Sequence, residues 1–222
     1  MKHFLEIDSI TKSYNHKKIL TDVYIKCETG DVIGVFGRNG SGKSTLLKII
    51  YGIETADHKF IKLDSKVLSV GYEEKNAIGY LPQQHYIPKH FTVQKTILLC
   101  IDEQKQTLFS ADEDITRIIN SKIEVLSGGE LRYLCVKLLL FGNTKFCLLD
   151  EPYSGLSPIY AEKINKLLVE NPFDKGIIIT DHNYQYLLEI ATKIFLIKDG
   201  YGRFLNDKSE LVHNGYLSER MI

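Results

Sequence analysis

The spacing of apolar residues divides the chain into short segments of two kinds. FLEIDSI (4–10) and VYIKCE (23–28) alternate apolar and polar positions, as half-buried strands do. DVIGVF (31–36), FCLLD (146–150) and GIIIT (176–180) are nearly unbroken apolar runs, suited to strands buried on both faces. Helical periods lie between them: LLKIIYG (46–52), closed by Gly52; LRYLCVKLLLFG (131–142), ended by Gly142; IYAEKINKLLVE (159–170); and YQYLLEIATK (184–193). A further strand is expected at IFLIKDG (194–200). Residues 54–81 hold several short β-like pieces, and residues 92–125 read as two helices, TVQKTILLCI and ADEDITRIINSKI, joined by a polar loop. Strands that alternate with helices predict an α/β fold with a mostly parallel sheet covered on both faces.

Composition narrows this picture without changing it. The 222 residues amount to about one and a half domains at roughly 150 residues each, which suggests one domain with an insertion. Twenty-eight basic residues balance twenty-eight acidic ones, so a strongly basic nucleic-acid binder is not expected, although a local basic groove is compatible with neutrality. Cys27, Cys100, Cys135 and Cys147 are too widely spaced for a zinc site or a secreted disulfide framework and are expected as reduced thiols in apolar surroundings. The start, MKHFLEIDSITKSY, lacks the apolar stretch of a secretory signal, and no apolar run approaches the ~18 residues of a membrane span. A cytoplasmic protein follows, with any membrane association supplied by a partner.

The chemistry is concentrated in a few motifs. Gly37-Arg38-Asn39-Gly40-Ser41-Gly42-Lys43-Ser44 fits G-x-x-x-x-G-K-[ST], between an expected strand and an expected helix. In that setting backbone N–H groups surround phosphates, Lys43 meets the β/γ-phosphates and the Ser44 hydroxyl faces Mg²⁺. No Asn-Lys-x-Asp segment for guanine selection occurs. A second anion-binding helix end is expected at Leu126-Ser127-Gly128-Gly129-Glu130. One nucleotide triphosphate rarely needs two such ends from one chain, so the second suits a nucleotide held by a neighbouring copy.

With these two motifs in place, the chain resembles the ATP-binding cassette (ABC) ATPases over about residues 4–206. Gly37–Thr45 looks like the Walker A motif, LSGGE (126–130) like the family signature and FCLLDE (146–151) like the Walker B strand with its following glutamate. Gln83 fits the Q-loop, with Gln84 as its neighbouring alternative, His182 the switch histidine and Tyr14 the aromatic residue that stacks on adenine. The resemblance implies a P-loop NTPase core with an antiparallel β subdomain and a small α-helical subdomain: residues 1–83 and 126–222 for the core and β subdomain, 84–125 for the helical one.

The same resemblance implies ATP and Mg²⁺ as ligands and assigns the site residues. Gly37, Asn39, Gly40, Ser41, Gly42, Lys43, Ser44 and Thr45, with Tyr14, would hold ATP, and Ser127, Gly128, Gly129 and Glu130 would meet the nucleotide of a second cassette, identical or different. Ser44, Gln83 and Asp150 would surround the metal. Glu151, His182, Gln83 and Lys43 would act in hydrolysis. The implied function is an ATPase that dimerises around two ATP molecules and drives transport by a separate integral-membrane subunit, at the inner face of the plasma membrane. No nucleic-acid partner is expected; the alternative is a soluble ABC ATPase of cluster assembly or nucleic-acid metabolism.

Two departures from the family pattern stand out. Ser157 occupies the place of the usual aspartate after Walker B, which removes a charge that would cross to the partner. The span from Gln83 to Leu126 is short, so the helical subdomain is trimmed, with Phe91, Ile97 and Leu98 divided between core and partner contact. EPYSGLSPIY and IIITDHNYQYLLEIATKIFLIKDG most resemble the cassettes of lipopolysaccharide-export and branched-chain amino-acid systems.

Overall fold

The computed structural model describes residues 2–84 and 86–218. Met1, His85 and residues 219–222, which fall within the expected domain spans, lie outside the described residues. The continuous apolar runs form the central strands: β3 (Val32–Phe36), β7 (Phe146–Asp150) and β8 (Gly176–Thr180) are buried at every position. With β6 (Ile78–Leu81), β9 (Lys193–Lys198) and β10 (Tyr201–Leu205) they make a six-stranded sheet ordered β10-β9-β3-β8-β7-β6. All neighbours in it are parallel except the edge strand β10.

Alternation along these strands sends side chains into two separate cores. Ile33, Val35, Phe146, Leu148, Ile178 and Phe195 pack with α1 (Lys43–Tyr51) and a four-stranded antiparallel sheet. That second sheet runs β2-β1-β4-β5, from β1 (Phe4–Tyr14), β2 (Lys17–Glu28), β4 (His58–Leu63) and β5 (Lys66–Leu68). On the opposite face Phe36, Cys147, Leu149, Ile177, Ile179 and Leu196 pack with α5 (Gly128–Phe141), α6 (Pro158–Glu170) and α7 (Tyr184–Ile190). The period-2 logic of a pleated strand thus produces a sheet covered on both sides.

Several local expectations change. AIGYL joins the parallel sheet as β6, not the antiparallel piece that precedes it. The segment read as a polar loop contains a helix, α3 (Glu103–Ser110), flanked by α2 (Val93–Cys100) and the short α4 (Glu113–Ile118). Its Glu, Gln, Lys and Leu residues are good helix formers, yet only Phe109 is buried, so the apolar periodicity is almost absent. The helix expected through Lys193 stops at Ile190, because Thr192 Oγ1 and its backbone N–H are tied to Val32 at the start of β3. Strand β10 and helix α8 (Ser209–His213) close the described chain. Cys27, Cys135 and Cys147 are buried as expected, whereas Cys100 is exposed. No described helix is long and apolar enough to cross a membrane.

Candidate nucleotide site

Parallel strands deliver their carboxyl ends to one sheet edge, where ligands of such folds bind. Here β3, β8, β7 and β6 are four consecutive neighbours, and each is followed by a segment that the sequence marks. Gly37–Ser44 leaves β3, Asp181 and His182 leave β8, Glu151 leaves β7, and Gln83 leaves β6 by way of Pro82.

The loop after β3 needs its glycines. Gly40 and Gly42 sit at φ 77° and 100° in the left-handed region, and a Cβ on Gly42 would stand 2.8 Å from Leu20 Cδ2. Gly42 is the N-cap of α1, so the loop ends on a helix N-terminus. Lys43 is buried, and its ammonium donates to the carbonyls of Gly37 (2.6 Å) and Arg38 (3.3 Å). Burial pulls the Lys43 pKa down from its ordinary value, against the nearby charges of Glu151, Asp150 and Asp181. Ser41 Oγ is buried without a hydrogen-bond partner, the one side-chain atom so placed among the described residues. An orphaned hydroxyl in a loop of this kind fits an anionic ligand.

Asp150 is fully buried and accepts from three hydroxyls: Ser44 Oγ (2.7 Å), Tyr80 OH (3.1 Å) and Thr180 Oγ1 (3.1 Å). Gln83 Nε2 donates to Ser44 Oγ at 3.3 Å. The Ser44 hydroxyl and the Asp150 carboxylate therefore converge as hard oxygen donors suited to Mg²⁺, with the Gln83 amide beside them. Among the described residues no group of three His, Cys, Asp or Glu side chains could hold a metal, so an ion here would draw its other oxygens from phosphate and water.

Glu151 adopts φ 52°, which is costly for a non-glycine residue and is found where the surroundings enforce it. Its N–H donates to Thr180 O at 2.8 Å, and its Oε1 lies 2.7 Å from His182 Nε2. Asp181 ties the two turns together by accepting the N–H groups of Tyr153 (2.9 Å) and Asn183 (2.8 Å); burial pushes its carboxyl pKa up. Arg132 fixes the carbonyl side of the Glu151 turn. It carried no motif assignment in the sequence.

Beside the loop lies a cavity of about 620 Å³, lined by Lys17, Lys18, Ile19, Arg38, Asn39 and Lys198 among others. A neutral chain thus presents a basic rim next to its phosphate loop. Tyr14 does not line this cavity. It is 42% exposed at the end of β1, with the Lys12 ammonium 4.6 Å from its ring centroid and Glu54 within hydrogen-bonding reach.

The second helix end forms as expected, and the side-chain hydrogen bonds of its Ser127 and Glu130 run to each other and to Arg117. Ser127 N-caps α5 in a capping box with Glu130, whose carboxylate accepts from the Ser127 N–H (2.9 Å) and hydroxyl (2.8 Å). Arg117 bonds Glu130 at 3.1 Å. Ser127 and Gly128 are exposed, and a Cβ on Gly128 would meet nothing within 4 Å.

The comparisons agree with this architecture. Residues 20–154, more than half of the chain, match the ABC transporter family. The chain is 30% identical over 210 residues to the lipopolysaccharide export system ATP-binding protein LptB of Haemophilus influenzae, covering 88% of this chain and 87% of that one. It is 29% identical over 212 residues to LptB of Escherichia coli K12, covering 89% and 88%. Among solved structures, the ATP-binding subunit of an ABC transporter superposes with TM-score 0.81 at 19% identity, over 97% of this chain and 95% of that one. A nucleotide-free ATP-binding cassette from an ABC transporter gives TM-score 0.80 at 22% identity, over 99% of each. The sheet edge, the glycine loop and the family match converge: this chain belongs to the ABC transporter family, as an ATP-binding subunit that hydrolyses ATP.

Proposed function

We propose that this chain works as one of two cassettes that close head to tail around two ATP molecules and drive export of a lipopolysaccharide-like amphiphile through a separate membrane subunit. The relatives at about 30% identity are named for lipopolysaccharide export, which supports the transport class over a soluble ATPase. The observation that supports the cassette mechanism is the interlocked edge around Lys43, Ser44, Asp150 and Glu151, together with an exposed signature end at Ser127 and Gly128.

In this reading the P-loop N–H groups, Lys43 and Ser41 bind the triphosphate, and Ser44, Gln83 and Asp150 hold Mg²⁺. The metal, when bound, neutralises charge that develops on the phosphates. Glu151 accepts a proton from the attacking water as its oxygen bonds to the γ-phosphorus and the bond from that phosphorus to the bridging oxygen breaks, giving ADP and phosphate. His182, 2.7 Å from Glu151, keeps that carboxylate in place. Ser127, Gly128, Gly129 and Glu130 of the partner cassette cover the nucleotide from the other side. Tyr14, exposed at its hairpin, turns onto the adenine.

Contact with the membrane subunit falls to the helical segment. Ile97 is in the core, Phe91 is partly buried against it, and Leu98 and Leu99 are 60% and 65% exposed on α2. Purification from solubilised membranes tests the reading: the chain co-purifies with a polytopic membrane protein and releases phosphate from ATP. Recovery only as a soluble complex would contradict the transport function.

A further inference from the structure

Arg132 lies one turn into α5, beyond the signature, and is 3% exposed. Among the described residues no carboxylate accepts from it. Its guanidinium instead donates to four backbone carbonyls: Asp150 O (2.7 Å), Glu151 O (2.8 Å), Pro152 O (3.3 Å) and Pro82 O (2.7 Å). Three of these are consecutive and enclose the left-handed Glu151; the fourth immediately precedes Gln83. With its guanidinium withdrawn from solvent, the chain bears the cost of a desolvated cation at this point.

That cost is not explained by filling space, since an apolar side chain would fill it without desolvation. A planar fork with five donors can fix several carbonyls in one geometry, which a lysine ammonium cannot reproduce. The carbonyls fixed here set the backbone on which the Glu151 carboxylate and the Gln83 amide stand.

We propose that Arg132 is a positioning residue for hydrolysis: it clamps the turns carrying Glu151 and Gln83 onto the signature helix, and so places the water-activating carboxylate. The proposal rests on the role of Glu151 given above. Because the hydrogen bonds of Arg132 reach neither the P-loop nor Ser127, nucleotide affinity measured without Mg²⁺, which leaves out the Gln83 and Asp150 contacts to the metal, does not depend on it.

The test is a cycle with Arg132→Lys, Glu151→Gln and the double variant in the full chain, measuring steady-state hydrolysis, affinity for a fluorescent ATP analogue and thermal melting. Arg132→Lys is expected to lower kcat at least about tenfold while analogue affinity measured without Mg²⁺ stays within about twofold, as for a misplaced catalytic group. In the Glu151→Gln background it changes the residual rate by less than about twofold, because the group it positions is gone. Equal losses in both backgrounds, or kcat and affinity falling together, would assign Arg132 to stability alone and overturn the proposal. Arg132→Gln, which keeps two donors in a smaller side chain, runs in parallel; failure of both variants to fold also overturns it. If Glu151→Gln itself leaves the wild-type rate unchanged, the role of Glu151 fails, a result separate from any effect of Arg132.

Discussion

The sheet edge and the signature end are built on opposite plans. At the edge, polar groups from four strands satisfy one another within the chain: Ser44, Tyr80 and Thr180 on Asp150, His182 on Glu151, Lys43 on two carbonyls. At the signature, Ser127 and Glu130 satisfy only each other and Arg117, and the surface of Gly128 is open. One region is preorganised for chemistry inside the chain. The other is a capped and exposed helix end, whose dipole and N–H groups would, in the proposed mechanism, face a nucleotide held by a second chain. The composite site proposed above would take one region from each of two chains.

The comparison can be broken most severely at the edge. Glu151→Gln is expected to lower phosphate release by about 10²- to 10⁴-fold while leaving the melting temperature near that of the wild type; a modest loss would mean that proton transfer lies elsewhere. Anchoring of the signature helix is the next largest effect. Asp112 caps α4 by accepting from Asp114 and Ile115 N–H groups, and it pairs at 2.6 Å with the buried Lys137 of α5. Asp112→Ala therefore strands a buried ammonium and should cost about 3 kcal/mol, or about 6–12 °C in melting temperature for a chain of this size.

Titration sharpens the same point. Burial alone would raise the Asp112 pKa, but the Lys137 ammonium and the Tyr133 hydroxyl hold it below the ordinary value. An acid with a depressed folded pKa stabilises the fold above its unfolded value, about 3.9. That stabilisation fades as the pH falls below this value toward the folded pKa. Melting curves of wild type and Asp112→Asn are expected to converge in that acid window and to separate above it.

Adjacent glycines give a smaller contrast. A Cβ on Gly129 would lie 2.4 Å from the Tyr160 ring, so Gly129→Ala should cost about 1–3 kcal/mol by overpacking α5 against α6. Gly128→Ala meets no protein atom, and should leave stability within about 0.5 kcal/mol yet reduce ATP turnover if that space belongs to a second chain's nucleotide. The weakest effect is expected at Arg117→Ala, whose pair with Glu130 is solvent-exposed on the Arg117 side and is worth less than about 1 kcal/mol. A larger loss there would show that the capping box alone does not hold the signature end.

Much of this was legible in the sequence because it depends on unbroken apolar runs and on fixed local spacing. The strands β3, β7 and β8, the loop from Gly37 to Ser44 and the capped end at Ser127 need no long-range information beyond that. Helix α3 was hidden because a single buried residue, Phe109, carries its packing. The placement of AIGYL in the parallel sheet was hidden because pairing partners are not encoded in a strand's own pattern. Arg132, Tyr80 and Thr180 escaped for a related reason: their hydrogen bonds to the Walker B segment span 18 to 70 residues, and nothing in local spacing marks them.

The most direct test of the composite site is light scattering on the Glu151→Gln chain, with and without Ser127→Arg, in the presence of ATP and Mg²⁺. The account predicts that ATP drives Glu151→Gln from one chain per particle to two, and that added Ser127→Arg keeps it at one while ATP still binds with unchanged affinity. An ATP-driven dimer indifferent to Ser127→Arg, or no ATP-dependent association in Glu151→Gln, would contradict it.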